Sequence, residues 1–199
     1  MKERPILFSA PMIRALLDGR KTQTRRVAKL TANGYAKEVG GNRRWHLGDH
    51  DAIKASPYGQ PGDRLWVRET FAHQPAEYEW SASTSIPLIP AETWYRADFA
   101  NCESYNATMP WKPSIHMPRN LSRIDLEITD VRVEHLQDIS VKDACAEGVF
   151  VPEAEYAQNG PSAPIMAYAD LWETINGAGS WDLNPFVWVI EFKVLEITA

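Results

Sequence analysis

The chain has 199 residues, with 21 lysines and arginines against 26 acids and a formal net charge of −5. An acidic chain does not adhere to nucleic acid as a whole, so any such binding has to come from a local basic patch. No apolar run reaches the roughly 7–15 residues of a secretory core or the roughly 18 of a membrane span, which points to a cytoplasmic protein with no membrane partner.

At 44% hydrophobic residues with eight tryptophans, one domain can bury a real core without metal or disulfide. The two cysteines, Cys102 and Cys145, have no metal-ligand spacing, and the five histidines are scattered. No metal or cofactor is expected.

In chain order, Ser9 caps a short helix reaching Asp18, with Pro11 in its first turn and Ile13, Leu16 and Leu17 on one stripe. Gly19 is the residue that stops it. The run GRKTQTRR (residues 19–26) follows, holding four cations and no acid. Residues 28–60 read as polar loop, and Pro61-Gly62-Asp63 as a turn into a strand at 64–71. Residues 72–118 are rich in proline and aromatics and read as a long ordered excursion.

Residues 121–136 are the clearest strand. Ile124, Leu126 and Ile128 share a face, then the alternation slips to Val131 and Val133, predicting a bulge near Thr129-Asp130. Ser140 and Asp143 make a capping box for a helix that Gly148 ends. A third helix is capped by Ser162 and stopped by Gly177. The chain closes on a strand with Phe186, Trp188, Ile190, Phe192 and Val194 on one face. Short strands with peripheral helices predict a small mixed barrel of class α+β.

Three constellations carry chemistry. A threonine hydroxyl is a weak nucleophile unless a base assists it, and a desolvated lysine can be that base, which singles out Lys21 and Thr24. Residues three apart face opposite sides of a strand, so the pair cooperates only if the chain turns there. The alternative is a solvated cationic loop. Glu147 stands in the last turn of its helix, where the dipole disfavours a carboxylate. It is either a frayed, exposed residue or one paired for a purpose.

The remaining cations are Arg25, Arg26, Arg68, Arg96, Lys112, His116, Arg119 and Arg123. WKPSIHMPR (residues 111–119) mixes aromatic with basic groups, as a base-stacking and phosphate-holding segment does. The alternative is a proline-rich loop that packs Trp111 and Ile115 onto the barrel.

GRKTQTRR resembles the signature of ASCH domains, a branch of the PUA-like superfamily, written GxKxxExR. Gly19, Lys21 and Arg26 match, and Thr24 stands where that signature has glutamate. The run is similar at every fixed position to GRKTxTxR, the variant in small bacterial ASCH enzymes that hydrolyse N4-acetylcytidine. WVIEFK (residues 188–193) is similar to their last strand, and VKDACAEG ends in Glu147 as their later helix ends in glutamate.

The resemblance extends over residues 5–26, 61–71, 121–149 and 165–195, and the layout is also similar to ASCH proteins encoded by prophages. It implies one PUA-like domain over 1–199 with insertions at about 27–60 and 72–118. It further implies a metal-independent amidohydrolase with Lys21, Thr24 and Glu147 as catalytic group. A nucleoside or RNA ligand would then meet Arg25, Arg26, Arg68, Trp111, Lys112, His116 and Arg119. The readings left open beside it are a module that binds RNA or a modified base without catalysis, and an ASCH-type ribonuclease. A binder does not need a hydroxyl supported by lysine, so Thr24 separates the classes.

Overall fold

The computed structural model describes residues 1–29, 56–74, 91–99 and 108–198, with short pieces at 35–37, 44–46, 53–54, 77–79 and 86–89 and the single residues Cys102 and Ser104. The strands are β1 Glu3–Leu7, β2 Gln23–Val27, β3 Tyr35–Lys37, β4 Arg44–His46, β5 Arg64–Arg68, β6 Phe71–Gln74, β7 Glu77–Glu79, β8 Ile86–Ile89, β9 Glu92–Tyr95, β10 Ile124–His135 and β11 Phe186–Ile197. The helices are α1 Ala10–Leu17, α2 Val141–Ala146, α3 Glu153–Asn159 and α4 Ala163–Asn176.

The fold is α+β. One mixed sheet has the order β1-β5-β10-β11-β2, with β1 parallel to β5 and the other neighbours antiparallel. Where a closed barrel was expected, the sheet is open, with β1 and β2 as its edges. The Arg26 side chain spans from one edge to the other, its Nη2 donating to the Leu7 carbonyl at 2.9 Å. A guanidinium fills the gap where a ladder would need strands about 4.8 Å apart.

The slip in the alternation of β10 is a bulge, with the register to β11 shifting between Ile128 and Asp130. A second shift lies between Asp125 and Leu126. The strand expected at 64–71 divides at Glu69 and Thr70, because Phe71 leaves the main sheet to pair with Tyr95 and Lys112. The segment 28–60, expected as loop, contains the β3–β4 antiparallel pair. Its other residues lie largely outside the described ones. The excursion at 72–118 carries the β6–β9 and β7–β8 pairs.

Two cores flank the sheet. Ile6, Leu65, Ile124, Leu126, Ile128, Ile190 and Phe192 pack with Ile13 and Leu16 of α1 on one side. On the other, Val187 and Val189 pack with Leu136, Ala144 of α2, and Tyr168 and Trp172 of α4. The first half of β11 is therefore buried on both faces, although its sequence shows one aromatic face clearly. Each fully buried large aliphatic contributes roughly 1.5–3 kcal/mol, so both faces matter to stability.

α1 ends as the glycine signal predicts. Gly19 has φ of +70°, its N–H reaches the Leu16 carbonyl at 3.0 Å, and the Arg20 N–H reaches that of Ala15 at 2.9 Å. The Lys21 N–H donates to the same Ala15 carbonyl at 2.9 Å, and the Thr22 N–H to that of Ala146 at 2.8 Å. These bonds fix the basic run between the ends of α1 and α2 before it enters β2. Among the described residues no helix is long and apolar enough to cross a membrane, and no metal-ligand group of His, Cys, Asp and Glu forms.

Candidate functional site

Lys21 is the first side chain the turn positions. It is 1% exposed, and its Nζ donates to the Glu147 Oε2 at 2.7 Å, the Glu147 carbonyl at 2.8 Å and the Gln23 carbonyl at 2.8 Å. Burial pulls its pKa below the ordinary lysine range. The carboxylate of Glu147 draws it back up without prevailing, and Arg26 and Arg25 push it down further.

Glu147 is the C-cap residue of α2 and only 3% exposed, so its misfit with the helix dipole is offset by a buried cation that also takes its carbonyl. Gly148 lets the two come together. Its φ is +88°, and a Cβ there would lie 2.9 Å from the Lys21 Cβ and 2.8 Å from that of Ala15. A side chain there would force Ala15 or Lys21 to shift.

The second oxygen of Glu147 is less well held. Tyr168 donates its hydroxyl to Oε1 at 3.5 Å, and Arg25 Nη1 stands 4.0 Å away. Burial, then the Glu147 charge, raises the Tyr168 pKa far above the usual phenol value, so it stays a donor. Arg25 is fully buried. Its Nη2 donates to Glu134 at 3.0 Å and lies 3.6 Å from Asp143, while its Nη1 donates to the Gln23 side-chain carbonyl. Gln23 in turn donates to Asp143 at 2.9 Å.

A cavity of about 450 Å³ opens beside this cluster. Glu147, Arg25 and Arg26 line it, with Ser9 at the head of α1 and Thr70 and Ser114 also on its wall. Tyr168, Leu171, Trp172, Ile175 and Asn176 add one face of α4 at spacings of 3, 4, 7 and 8 residues. Sequence reasoning missed this α4 face. Its helical periodicity was there to be read, although Tyr168 and Trp172 also serve the second core.

Thr24 lies in β2 opposite Ile190. Its side chain is 0% exposed, and its Oγ1 makes no hydrogen bond, to Lys21 or to anything else described. It does not line the cavity, and neither does Lys21.

The other expected binding residues lie elsewhere. Arg68 donates to the Met117 carbonyl at 2.9 Å and stacks over Trp66. Arg119 is held by Asp125 at 2.6 Å and Glu3 at 3.3 Å. Trp111 is half-buried against Phe99, with 6.0 Å between ring centroids, while Ile115 is 58% exposed rather than packed. Lys112 and His116 are exposed. From residues 111–119, only Ser114 reaches the cavity.

Comparisons with protein-family models, curated proteins and solved structures found no match to this chain. The functional argument therefore rests on the geometry of this site and on the motif.

Proposed function

We propose that the protein is a PUA-like, ASCH-type amidohydrolase acting on an acylated nucleobase or nucleoside. The observation that carries this reading is the buried Lys21–Glu147 pair, whose glutamate lines an aromatic-walled cavity while the lysine lies behind it, with the Thr24 hydroxyl buried three residues further on in β2. A pocket of a few hundred Å³ with mostly apolar walls and a few converging polar groups suits one base-sized ligand. A lysine whose pKa is lowered by burial supplies more neutral amine near neutral pH than an ordinary lysine does.

In the proposed reaction Thr24 Oγ1 bonds to the amide carbonyl carbon and Lys21 takes its proton. Collapse of the tetrahedral intermediate breaks the C–N bond, and the leaving amine receives a proton from the Lys21–Glu147 pair. Water then releases the acyl group from Thr24. Of the cations that line the cavity, Arg25 has its Nη1 4.0 Å from Glu147 Oε1, and in this reading it would stabilise the oxyanion. For this chemistry the cavity wall has to open so that Thr24 Oγ1 and Lys21 Nζ, which do not line it, meet the substrate, and Lys21 has to exchange one of its carbonyl partners for the Thr24 hydroxyl.

A second reading, a base-binding module without catalysis, is favoured by the seclusion of Thr24 Oγ1 and by the three acceptors already met by Lys21 Nζ. Acetate release from N4-acetylcytidine and other acylated nucleosides separates the two. The hydrolase reading expects turnover by the wild type and its loss in Thr24→Ala, with the fold retained. No release across the panel, or full activity in Thr24→Ala, assigns the pocket to binding or removes the nucleophile.

A further inference from the structure

We propose that the cavity takes a nucleoside monophosphate, its phosphate held by Arg26 and the head of α1 and its base edge by Arg25 and Trp172. The identity of the base part rests on the reading above. The phosphate does not, because a separate set of groups argues for it.

Arg26 is the cation at the cavity that meets no carboxylate among the described residues. Its Nη atoms donate to the main-chain carbonyls of Arg25 at 3.3 Å and Leu7 at 2.9 Å, and its guanidinium stands 5.4 Å from the centre of the Phe8 ring. Arg25, by contrast, has Glu134, Asp143 and Glu147 around it. Arg26 is also half-buried where Arg25 is fully buried, so its charge is the more accessible of the two.

Leu7 and Phe8 lead directly into α1. Ser9 occupies the N-cap position and lines the cavity, yet its hydroxyl makes no capping bond, and the first turn carries no acid. The eight-residue helix thus presents its positive end, an idle hydroxyl and a neighbouring arginine toward one space. Charge-assisted hydrogen bonds of this kind are about twice as strong as neutral ones.

Two of the lining residues carry buried N–H groups. Among the described residues Arg25 Nε has no hydrogen-bond partner and neither has Trp172 Nε1; the side chains are 1% and 4% exposed and both atoms are covered, so a ligand meets them where the wall yields. A buried donor without a partner costs about 1–3 kcal/mol, so a ligand that brings acceptors there recovers that cost. Both groups are donors, which asks for carbonyl or ring-nitrogen acceptors, while Glu147 Oε1 is available to accept from an exocyclic N–H. A base with an acceptor edge joined to a phosphate has both ends of this pattern. The volume of about 450 Å³ holds one nucleotide rather than a strand.

The test is isothermal titration of the wild type with the common ribonucleoside 5′-monophosphates, the matching nucleosides and inorganic phosphate. At least one monophosphate should bind about tenfold or more tightly than its nucleoside, and phosphate alone should bind more weakly than either. Arg26→Gln should erase the difference and Arg26→Lys, which keeps the charge, should retain part of it, with thermal unfolding of both variants reporting that they are folded. Ser9→Ala should weaken only the monophosphate, by a few-fold. Trp172→Phe should weaken nucleotide and nucleoside alike, by about tenfold.

Equal affinity for nucleotide and nucleoside overturns the phosphate site, and phosphate binding as tightly as the nucleotide overturns the base edge. No binding of any of these ligands overturns both. Selective nucleotide binding without acetate release would leave this inference standing and sink hydrolysis. Acetate release at the same rate from acylated nucleoside and its monophosphate would do the reverse.

Discussion

Two buried glutamates make an instructive pair. Glu69, at the end of β5, is 2% exposed, and Glu147, at the end of α2, is 3% exposed. Arg123 holds Glu69 with a fork, Nε to Oε1 at 2.9 Å and Nη2 to Oε2 at 3.2 Å, and reaches Asp98 at 2.8 Å while stacking on Tyr95. Both oxygens are satisfied, and the residue faces neither described cavity. Glu147 has a short bond to Lys21 on one oxygen but, on the other, a 3.5 Å contact from Tyr168 and Arg25 Nη1 at 4.0 Å, and it borders the cavity. Burial and ion pairing are common to both. What differs is hydrogen-bonding capacity left over beside open space.

The largest expected effect comes from cutting each pair. Removing one partner of a buried ion pair leaves an uncompensated charge and costs about 3–5 kcal/mol. Lys21→Met and Arg123→Met should both lose stability of that order, read by urea denaturation. Only Lys21→Met should also lose acetate release, by about 10²–10⁴ per folded molecule, because in the proposed reaction Lys21 is the general base. An Arg123→Met protein that folds yet has lost turnover to the same degree would break the comparison.

How far the sequence reveals this depends on the range of the interaction. Glu147 is legible because it violates a local rule, and Lys21 because a glycine stop makes the chain turn beside it. The bulge in β10 shows directly in the slipped alternation. Arg123 and Glu69 are not legible as partners, since they lie 54 residues apart and neither carries a local anomaly. The same holds for Arg119, which looks like a phosphate binder among aromatics until Glu3, 116 residues away, and Asp125 take its donors. The α4 stripe from Tyr168 to Asn176 is periodic in sequence. Periodicity alone does not tell a core face from a cavity wall, and here Tyr168 and Trp172 belong to both.

An effect of intermediate size sharpens the contrast through pH. Burial raises the Glu69 pKa despite Arg123, whereas burial lowers that of Lys21 despite Glu147. For Glu69 the folded state holds its proton more tightly than the unfolded one. Its contribution is therefore fully present below the ordinary value of about 4.3 and is lost as pH rises through the higher folded value. For Lys21 the unfolded state holds the proton more tightly. Its contribution is present above the ordinary value of about 10.4 and is lost as pH falls through the lower folded value. The slopes have opposite signs, each at most about 1.4 kcal/mol per pH unit. Relative to wild type, Glu69→Gln should remove a falling component of stability in mildly acidic buffer, and Lys21→Met a rising component in alkaline buffer. Parallel pH profiles for wild type and either variant would contradict the corresponding assignment.

The smallest effect isolates the loosely held oxygen of Glu147. Tyr168→Phe deletes a hydroxyl and leaves a ring that packs against Trp172 and Trp181 at centroid distances of 6.3 and 6.2 Å. At 3.5 Å the bond to Oε1 is at the weak end of its range, so stability should fall by about 1 kcal/mol or less. The Lys21 bond to the other oxygen is untouched, so the carboxylate stays in place and loses only its second donor. If Tyr168 steadies Glu147 for proton delivery, kcat should drop by about tenfold with KM nearly unchanged. If it merely fills the cavity wall, KM should rise and kcat should hold. An unchanged kcat together with unchanged KM would mean that Oε1 needs no donor from α4, and that the Lys21 side of the carboxylate alone governs the site.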